Sequence, residues 1–191
     1  ADDPGLLEMA ATLEEEVDRK TEAAGTWLRL ATQAKLQGDT ARATTALEHA
    51  ARCDPANFEA QLALCRHLAD TGAKDRAEEI AKPLAAQLAS AKRLEEARDL
   101  CVWAAGFARE PLDLQVVQAR ALLDLKNREG ARHALTKAVN ALGGKESKRY
   151  EVLQRRIYVL AGDAPELMSI AQGMAVQKAY GDRRRIEWME V

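Results

Sequence analysis

The sequence predicts an all-α protein built from pairs of antiparallel helices that repeat along the chain. Helix-forming alanine, leucine, glutamate and arginine dominate its 191 residues, aromatic residues make up only 4%, and alternating apolar and polar runs typical of strands are missing. The spacing from Gly38 to Ala43 recurs from Gly72 to Ala77. The step between these two copies is about 34 residues, a period that is typical of helix pairs in a repeat array.

The clearest copy of the pattern lies between Trp27 and Pro55. One helix carries a large apolar residue followed by a small one, a glycine ends it, and a second helix carries small residues where the two touch. The positions that define this copy are Trp27, Leu30, Ala31, Gly38, Ala43, Leu47, Ala50 and Asp54-Pro55. The stretch resembles the tetratricopeptide repeat (TPR), and the resemblance covers about residues 24–178. It implies a right-handed superhelical solenoid of antiparallel helix pairs, with about nine or ten helices in the whole chain.

The chain divides into three parts in this interpretation. Residues 1–22 form an N-terminal amphipathic helix or cap that does not match the repeat, residues 23–178 form the array, and residues 179–191 form a C-terminal tail or cap. We expect helices at 5–20, 24–37, 40–53, 57–71, from 74 onward, 111–125, 130–142, 148–160 and 164–177.

An irregularity is expected near residues 81–92. Ala97 starts what resembles another second helix, yet it follows Ala77 much sooner than the period allows, whereas Ala97 and Ala131 are again one full period apart. The intervening helix, interrupted by Pro83, must therefore serve two roles or depart from the standard stack.

Charge and hydropathy exclude several classes of function. The net charge is −2, which argues against a nucleic-acid binder driven by overall electrostatics, and no apolar run is long enough for a membrane span. No cofactor or metal is expected, because no phosphate-binding loop follows a strand and no metal-ligand spacing is present. We therefore expect a protein that is not an enzyme.

The cysteines and histidines have structural explanations. Three cysteines cannot all pair, and an odd, sparse count favours a reducing, cytoplasmic compartment. The alternative is an exported or periplasmic chain after signal removal, since the sequence begins at Ala1 without methionine. Of Cys53, Cys65 and Cys101, we expect Cys53, beside the Asp54-Pro55 turn, to be the most exposed. The histidines are His49, His67 and His133, each on a predicted helix.

Candidate ligand contacts come from aligning the repeats. Arg66, Arg120 and Arg156 fall at one equivalent place on the first helices, where the first repeat has Thr32, and Lys35 lies one turn further. The TPR resemblance implies that this place faces a concave groove, where a column of guanidinium groups would suit carboxylates. The alternative is plain ion pairing, since Asp70 and Asp124 each lie one helical turn after one of the arginines.

Three apolar residues occupy other groove positions. They are Leu28, Leu62 and Val116, and they favour a ligand with hydrophobic side chains over the acidic chaperone termini that some TPR clamps hold with asparagine and lysine. The tail adds Arg183-Arg184-Arg185 and Trp188, either a solvated run or a second docking element.

The leading hypothesis is a non-enzymatic adaptor or scaffold that holds a peptide or helix of another protein in the groove. One alternative is a structural scaffold that self-associates as a homo-oligomer through its terminal helices. Another is the docking or regulatory part of a larger enzyme.

Overall fold

A computed structural model describes residues 3–142, 146–161 and 164–189, with the backbone alone for 146, 147 and 178–189. These residues form ten α-helices and no β-strand, which confirms the predicted all-α class. The helices are α1 (Pro4–Glu16), α2 (Lys20–Leu36), α3 (Thr40–Cys53), α4 (Phe58–Asp70), α5 (Lys74–Ser90), α6 (Leu94–Ala105), α7 (Leu112–Asp124), α8 (Arg128–Ala141), α9 (Glu146–Ala161) and α10 (Pro165–Met189).

The helices form two compact units, Ala1–Leu84 and Ala85–Val191, and the division falls inside α5. In the first unit α1 packs on α2, α2 on α3 and α3 on α4. In the second unit α6 packs on α7, α7 on α8 and α9 on α10, while α7 also contacts α9 and α8 contacts α10. Packing in sequence order, with contacts between alternate helices, confirms a TPR-like helical repeat fold. The handedness of a superhelix and the three-part division of the chain stay predictions.

Small residues let the helices of the first unit approach closely. Ala31 on α2 and Ala43 on α3 are both buried, as the sequence predicts for the contact between paired helices. The second unit has an aliphatic core between α7, α8, α9 and α10. Its fully buried large side chains include Val116, Leu135, Leu153, Ile157 and Leu167.

The same turn joins five pairs of consecutive helices. After α2, for example, Gly38 adopts φ +76°, and the amide of Asp39 donates to the carbonyl oxygen of Ala34 over 2.9 Å. This is the Schellman arrangement, in which a left-handed residue reverses the chain and satisfies the last carbonyl groups of the helix. Left-handed residues occupy the same place after α1, α4, α5 and α7; they are Asp18, Gly72, Lys92 and Lys126.

The left-handed residues follow one another at two alternating intervals. A short interval separates Asp18 from Gly38 and Gly72 from Lys92, and a long one separates Gly38 from Gly72 and Lys92 from Lys126. The complete pattern therefore repeats from Asp18 to Gly72 and again, at the same distance along the chain, from Gly72 to Lys126. We call this distance the three-helix period.

The three-helix period defines the structural repeat. Longer connections that contain Pro55 or Pro111 follow its two complete copies, which are α1–α3 and α4–α6; α7 and the turn at Lys126 begin a third. This unit is longer than the two-helix unit of about 34 residues.

The three-helix period also explains the spacing that breaks the two-helix pattern. The step from Ala77 to Ala97 equals the short interval from Asp18 to Gly38, so it belongs to the repeat. The helix α1 shares one buried position with α4 and α7. Ala11 of α1 has Cys65 of α4 and Ala119 of α7 as its counterparts, and all three are fully buried.

Some helix bounds also differ from the sequence-based expectations. The helix α5 continues through Pro83 instead of being interrupted there. The helix α2 begins at Lys20, and α10 continues to Met189, so most of the predicted tail is helical. Polar residues at these ends give no apolar period, which is why the sequence places the ends too far inward.

Replacing Lys126 by glycine is expected to raise the free energy of unfolding by up to about 1 kcal/mol. Lys126 has φ +64°, and a left-handed conformation costs roughly 1–2 kcal/mol for a residue with a Cβ atom, partly offset by the greater freedom of glycine in the unfolded chain. Urea unfolding followed by circular dichroism measures the change. The control is Lys137→Gly within α8, which should lower stability by about 1 kcal/mol. Equal destabilisation by both changes would contradict the turn assignment.

Candidate functional site

Two of the predicted cations lie on α2 and α4 of the first unit and have no carboxylate partner among the described residues. Lys35 is in the last turn of α2 and Arg66 is in the middle of α4, and both side chains are exposed. Within the described residues neither forms an ion pair, although Asp70 lies one helical turn after Arg66. The predicted intrahelical pair between Arg66 and Asp70 is therefore not formed.

The residues around these two cations are partly apolar. Leu28 and Leu62 are half-buried, and each lies one or two helical turns before a cation on the same helix face. Thr32 lies between Leu28 and Lys35, and its hydroxyl donates to the Leu28 carbonyl oxygen over 2.9 Å. We call Leu28, Thr32, Lys35, Leu62 and Arg66 the α2–α4 surface.

His67 links α4 to α3. The ring is buried, and its Nε2 lies 2.8 Å from Oγ1 of Thr44 on α3. Burial lowers the pKa of His67 below its usual value, and the positive charge of Lys35 lowers it further.

In the second unit the Arg120 guanidinium already has hydrogen-bond partners within the chain. Its Nε donates to Oδ1 of Asp124 over 3.2 Å, and its Nη1 donates to the carbonyl oxygen of Ala161 over 3.1 Å. Asp124 also pairs with Lys92, whose Nζ lies 3.5 Å from Oδ2. The alternative of plain intrahelical pairing is therefore correct for Arg120.

The Arg156 guanidinium is paired with a carboxylate from another helix. Its Nε and Nη2 donate to the two carboxylate oxygens of Asp113 in a bidentate pair between α9 and α7. The Asp113 hydrogen bond raises the pKa of Arg156. Sequence reasoning missed Asp113 because it considered pairs within one helix, and no local pattern signals a partner 43 residues away.

Val116, the third apolar candidate, is fully buried within the core of the second unit. It therefore supports packing of α7 and offers no accessible surface. Of the eight predicted contact residues, five belong to the first unit and three, Arg120, Arg156 and Val116, belong to the second. Whether any of them touches a ligand stays a prediction.

A second polar cluster links α1 to α2 and α3. Oε1 of Glu15 accepts from Nε1 of Trp27 on α2 over 2.5 Å and lies 3.1 Å from Nδ1 of His49 on α3. The Trp27 and His49 rings stack with their centroids 4.4 Å apart. Burial raises the pKa of Glu15, but hydrogen bonds from Cys53, His49 and Trp27 outweigh it and lower the pKa overall. The carboxylate therefore stays charged and acts as a structural link.

The cysteines have no reactive character. All three are free and buried. Cys53 is 8% exposed and the other two are fully buried, so Cys53 is the most exposed of the three, as expected, although it lies beside Glu15 at the end of α3. Burial raises the pKa of Cys53 and of Cys65 to about 11, and that of Cys101 to about 12. Such thiols remain protonated at neutral pH and are poor nucleophiles.

No metal-binding group of three or more His, Cys, Asp or Glu side chains occurs among the described residues. In the same part of the chain no helix has the length and apolar character to cross a membrane.

The side chains of Arg183, Arg184, Arg185 and Trp188 lie outside the described residues, so their predicted role stays untested.

Replacing Lys35 by methionine is expected to raise the pKa of His67 towards about 6.5, because a nearby positive charge would be removed. An NMR titration of the His67 ring measures the shift. The control is Lys20→Met, at the other end of α2 and roughly 22 Å away along the helix, which should leave the titration unchanged. An unchanged pKa in Lys35→Met would contradict the effect of the Lys35 charge on His67.

The lowered pKa of His67 also predicts how stability depends on pH. Below about pH 6.5 the unfolded chain binds a proton at this residue more readily than the folded chain does. Stability is therefore complete above that pH and falls as the pH drops from there towards the folded pKa. His67→Gln should abolish this part of the pH dependence in urea unfolding, and Lys35→Met should reduce it.

Arg156→Gln is expected to lower the free energy of unfolding by about 1 kcal/mol, because it leaves the mostly buried Asp113 carboxylate without its partner. Arg66→Gln should change it by less than about 0.5 kcal/mol, since Arg66 is exposed and unpaired in the described structure. Adding Asp113→Asn to Arg156→Gln should restore part of the loss. Equal effects of the two arginine changes would contradict this distinction.

Comparison with known proteins adds little to this description. No protein-family model and no curated protein matches the chain. A solved structure of a thermophilic TPR protein from Thermus thermophilus is similar to it, with 20% sequence identity over 87% of this chain and 97% of that one and a TM-score of 0.33. A score that low carries no argument about function. The ten helices, their packing order and their repeated turns establish that this chain has a TPR-like, all-helical repeat fold.

Proposed function

We propose that the chain is a non-enzymatic protein-interaction module that binds an acidic peptide or helix of another protein on the α2–α4 surface. The observation that carries the proposal is the exposure of Lys35 and Arg66 without carboxylate partners in the described structure. Unpaired cations on these two helices offer binding energy that no contact within the described chain already uses.

The chemistry of this surface favours a ligand with both carboxylate and apolar groups. The Arg66 guanidinium can hold a carboxylate through two parallel hydrogen bonds, whereas the Lys35 ammonium acts as a point charge. Leu28 and Leu62 lie beside them with part of their surface accessible. A segment that carries acidic residues about one helical turn from apolar ones would fit this arrangement.

The proposed site does not include all three arginines of the column that the sequence predicts. Arg120 and Arg156 already hold Asp124 and Asp113, and an incoming carboxylate would have to displace those partners. Only Lys35 and Arg66 remain as cations for a ligand among the predicted positions.

A binding role agrees with the protonation states of the thiols and of Glu15, the groups that could otherwise take part in a reaction. The thiols are held protonated by burial, and Glu15 is held ionised by its structural hydrogen bonds. Repeat arrays provide large surfaces without reactive groups, so recognition of a partner is the function that suits them. The three free thiols also support a reducing, cytoplasmic location.

Charge reversal tests the proposal. The chain is immobilised and proteins are captured from cells of its source, then identified by mass spectrometry. The double change Lys35→Glu and Arg66→Glu should lower capture of acidic partners by at least about tenfold, and raising the salt concentration should weaken capture by the unchanged chain.

The matched control is Lys74→Glu with Lys137→Glu, which makes the same change in net charge at helix positions outside the α2–α4 surface. Circular dichroism establishes that both variants are folded. If the Lys35 and Arg66 variant captures the same proteins as the unchanged chain, the α2–α4 surface is not the binding site.

A further inference from the structure

One side of α1 is covered by apolar side chains that no other part of the described structure buries. Leu6, Met9, Leu13 and Val17 are between 57% and 65% exposed, and their spacing places them along one helix face. We call these four residues the α1 stripe. The opposite side of α1, with Leu7 and Ala11, is buried against α2.

The three-helix period identifies the residues of α4 and α7 that are equivalent to those of the α1 stripe. The counterparts of Leu6 are Ala60 on α4 and Leu114 on α7, and both are fully buried. The N-terminal end of the α1 stripe therefore lies on a face that is buried in the two equivalent helices.

Leu13, at the centre of the α1 stripe, also has buried counterparts in α4 and α7. The counterparts of Leu13 are His67 on α4 and Ala121 on α7, and both are buried. His67 is covered directly by α3, whose Thr44 contacts its ring at 2.8 Å.

A preceding helix accounts for the difference in burial. In the described structure α4 is packed against α3 and α7 against α6, whereas among the described residues no helix packs in that place on α1. The α1 stripe thus has the position and the apolar character of a face that receives another helix.

We infer that the α1 stripe binds the α1 stripe of a second copy of this chain, so that two α1 helices pack antiparallel about a two-fold axis. The spacing of the stripe is self-complementary in that orientation. With the two-fold axis at residue 11, Met9 faces Leu13 of the second copy, and Leu6 lies within one residue of facing its Val17. Each apolar side chain then meets another apolar side chain, as an isologous interface requires.

Charge favours the antiparallel orientation. Asp3 lies at the N-terminal end of α1, and Arg19 follows its C-terminal end with an exposed side chain. In the antiparallel pair Asp3 of one copy approaches Arg19 of the other at both ends. The dipoles of the two helices also oppose each other in this orientation, which is the favourable arrangement.

The size of the stripe predicts a weak dimer. Four side chains present roughly a few hundred Å² of apolar surface per copy, less than the roughly 800 Å² per partner of a standard stable interface. A dissociation constant in roughly the micromolar range is therefore expected. This inference does not rest on the proposed peptide-binding function, since Lys35 and Arg66 are not part of the stripe.

Sedimentation equilibrium over about 5 to 500 µM protein is the first test. The unchanged chain should shift from monomer to dimer across this range. Met9→Glu with Leu13→Glu should remain monomeric, because carboxylates would be buried against one another. The control Val152→Glu with Val159→Glu, which changes two exposed apolar residues of α9, should dimerise as the unchanged chain does.

A short bismaleimide linker then tests the antiparallel geometry, since the native cysteines are buried. Ala10, an exposed residue near the centre of α1, lies close to the two-fold axis, so Ala10→Cys should link to itself. Two copies of residue 6 would lie roughly 16 Å apart along the axis, so Leu6→Cys should not link to itself. A mixture of Leu6→Cys and Val17→Cys should give linked heterodimers.

A chain that stays monomeric at every concentration overturns the inference, as does a dimer that survives Met9→Glu with Leu13→Glu. Self-linking of Leu6→Cys as efficient as that of Ala10→Cys overturns the antiparallel orientation. If dimerisation fails while capture of acidic partners depends on Lys35 and Arg66, only the inference about α1 is wrong.

Discussion

At five junctions between consecutive helices the same tight turn reverses the direction of the chain. One residue in the left-handed conformation makes that reversal, and the Schellman hydrogen bonds around it satisfy the carbonyl groups at the helix end. Each helix has an apolar side that it cannot hide alone, so the turn that places a neighbour against it determines the core. The alternation of short and long intervals between these turns gives the three-helix repeat.

The sequence predicts the class, the clearest helix pair and the interval from Gly38 to Gly72, because these two glycines mark their own turns. Lys92, Lys126 and Asp18 adopt the same left-handed conformation but carry no such signal, so the three-helix period is hidden in the sequence. The relation of α1 to α4 and α7 is missed for the same reason. The helix over residues 40–53 is predicted with the right bounds because Asp39 is a clear N-cap, and its side chain accepts from the amide of Arg42.

The candidate site is predictable only in part. Aligned repeats identify Arg66 and Arg156 as equivalent, but their surroundings depend on contacts between helices that no local spacing encodes. Arg156 meets Asp113 from 43 residues away, whereas Arg66 has no such partner among the described residues. Val116 is apolar at a position where α7 is buried and Leu62 is apolar where α4 is half-exposed, a difference that only packing reveals. Charge and hydropathy therefore suggest candidates, and burial decides among them.

The central claim, that one turn geometry repeats through the chain, can be tested most directly by measuring backbone torsion angles in solution. NMR coupling constants and chemical shifts report φ for each residue. The account predicts positive φ at Asp18, Gly38, Gly72, Lys92 and Lys126, with helical values on both sides of each. A negative φ at Lys92, or non-helical values through residues 85–90, would show that the short interval before Ala97 is a local irregularity and would contradict the three-helix repeat.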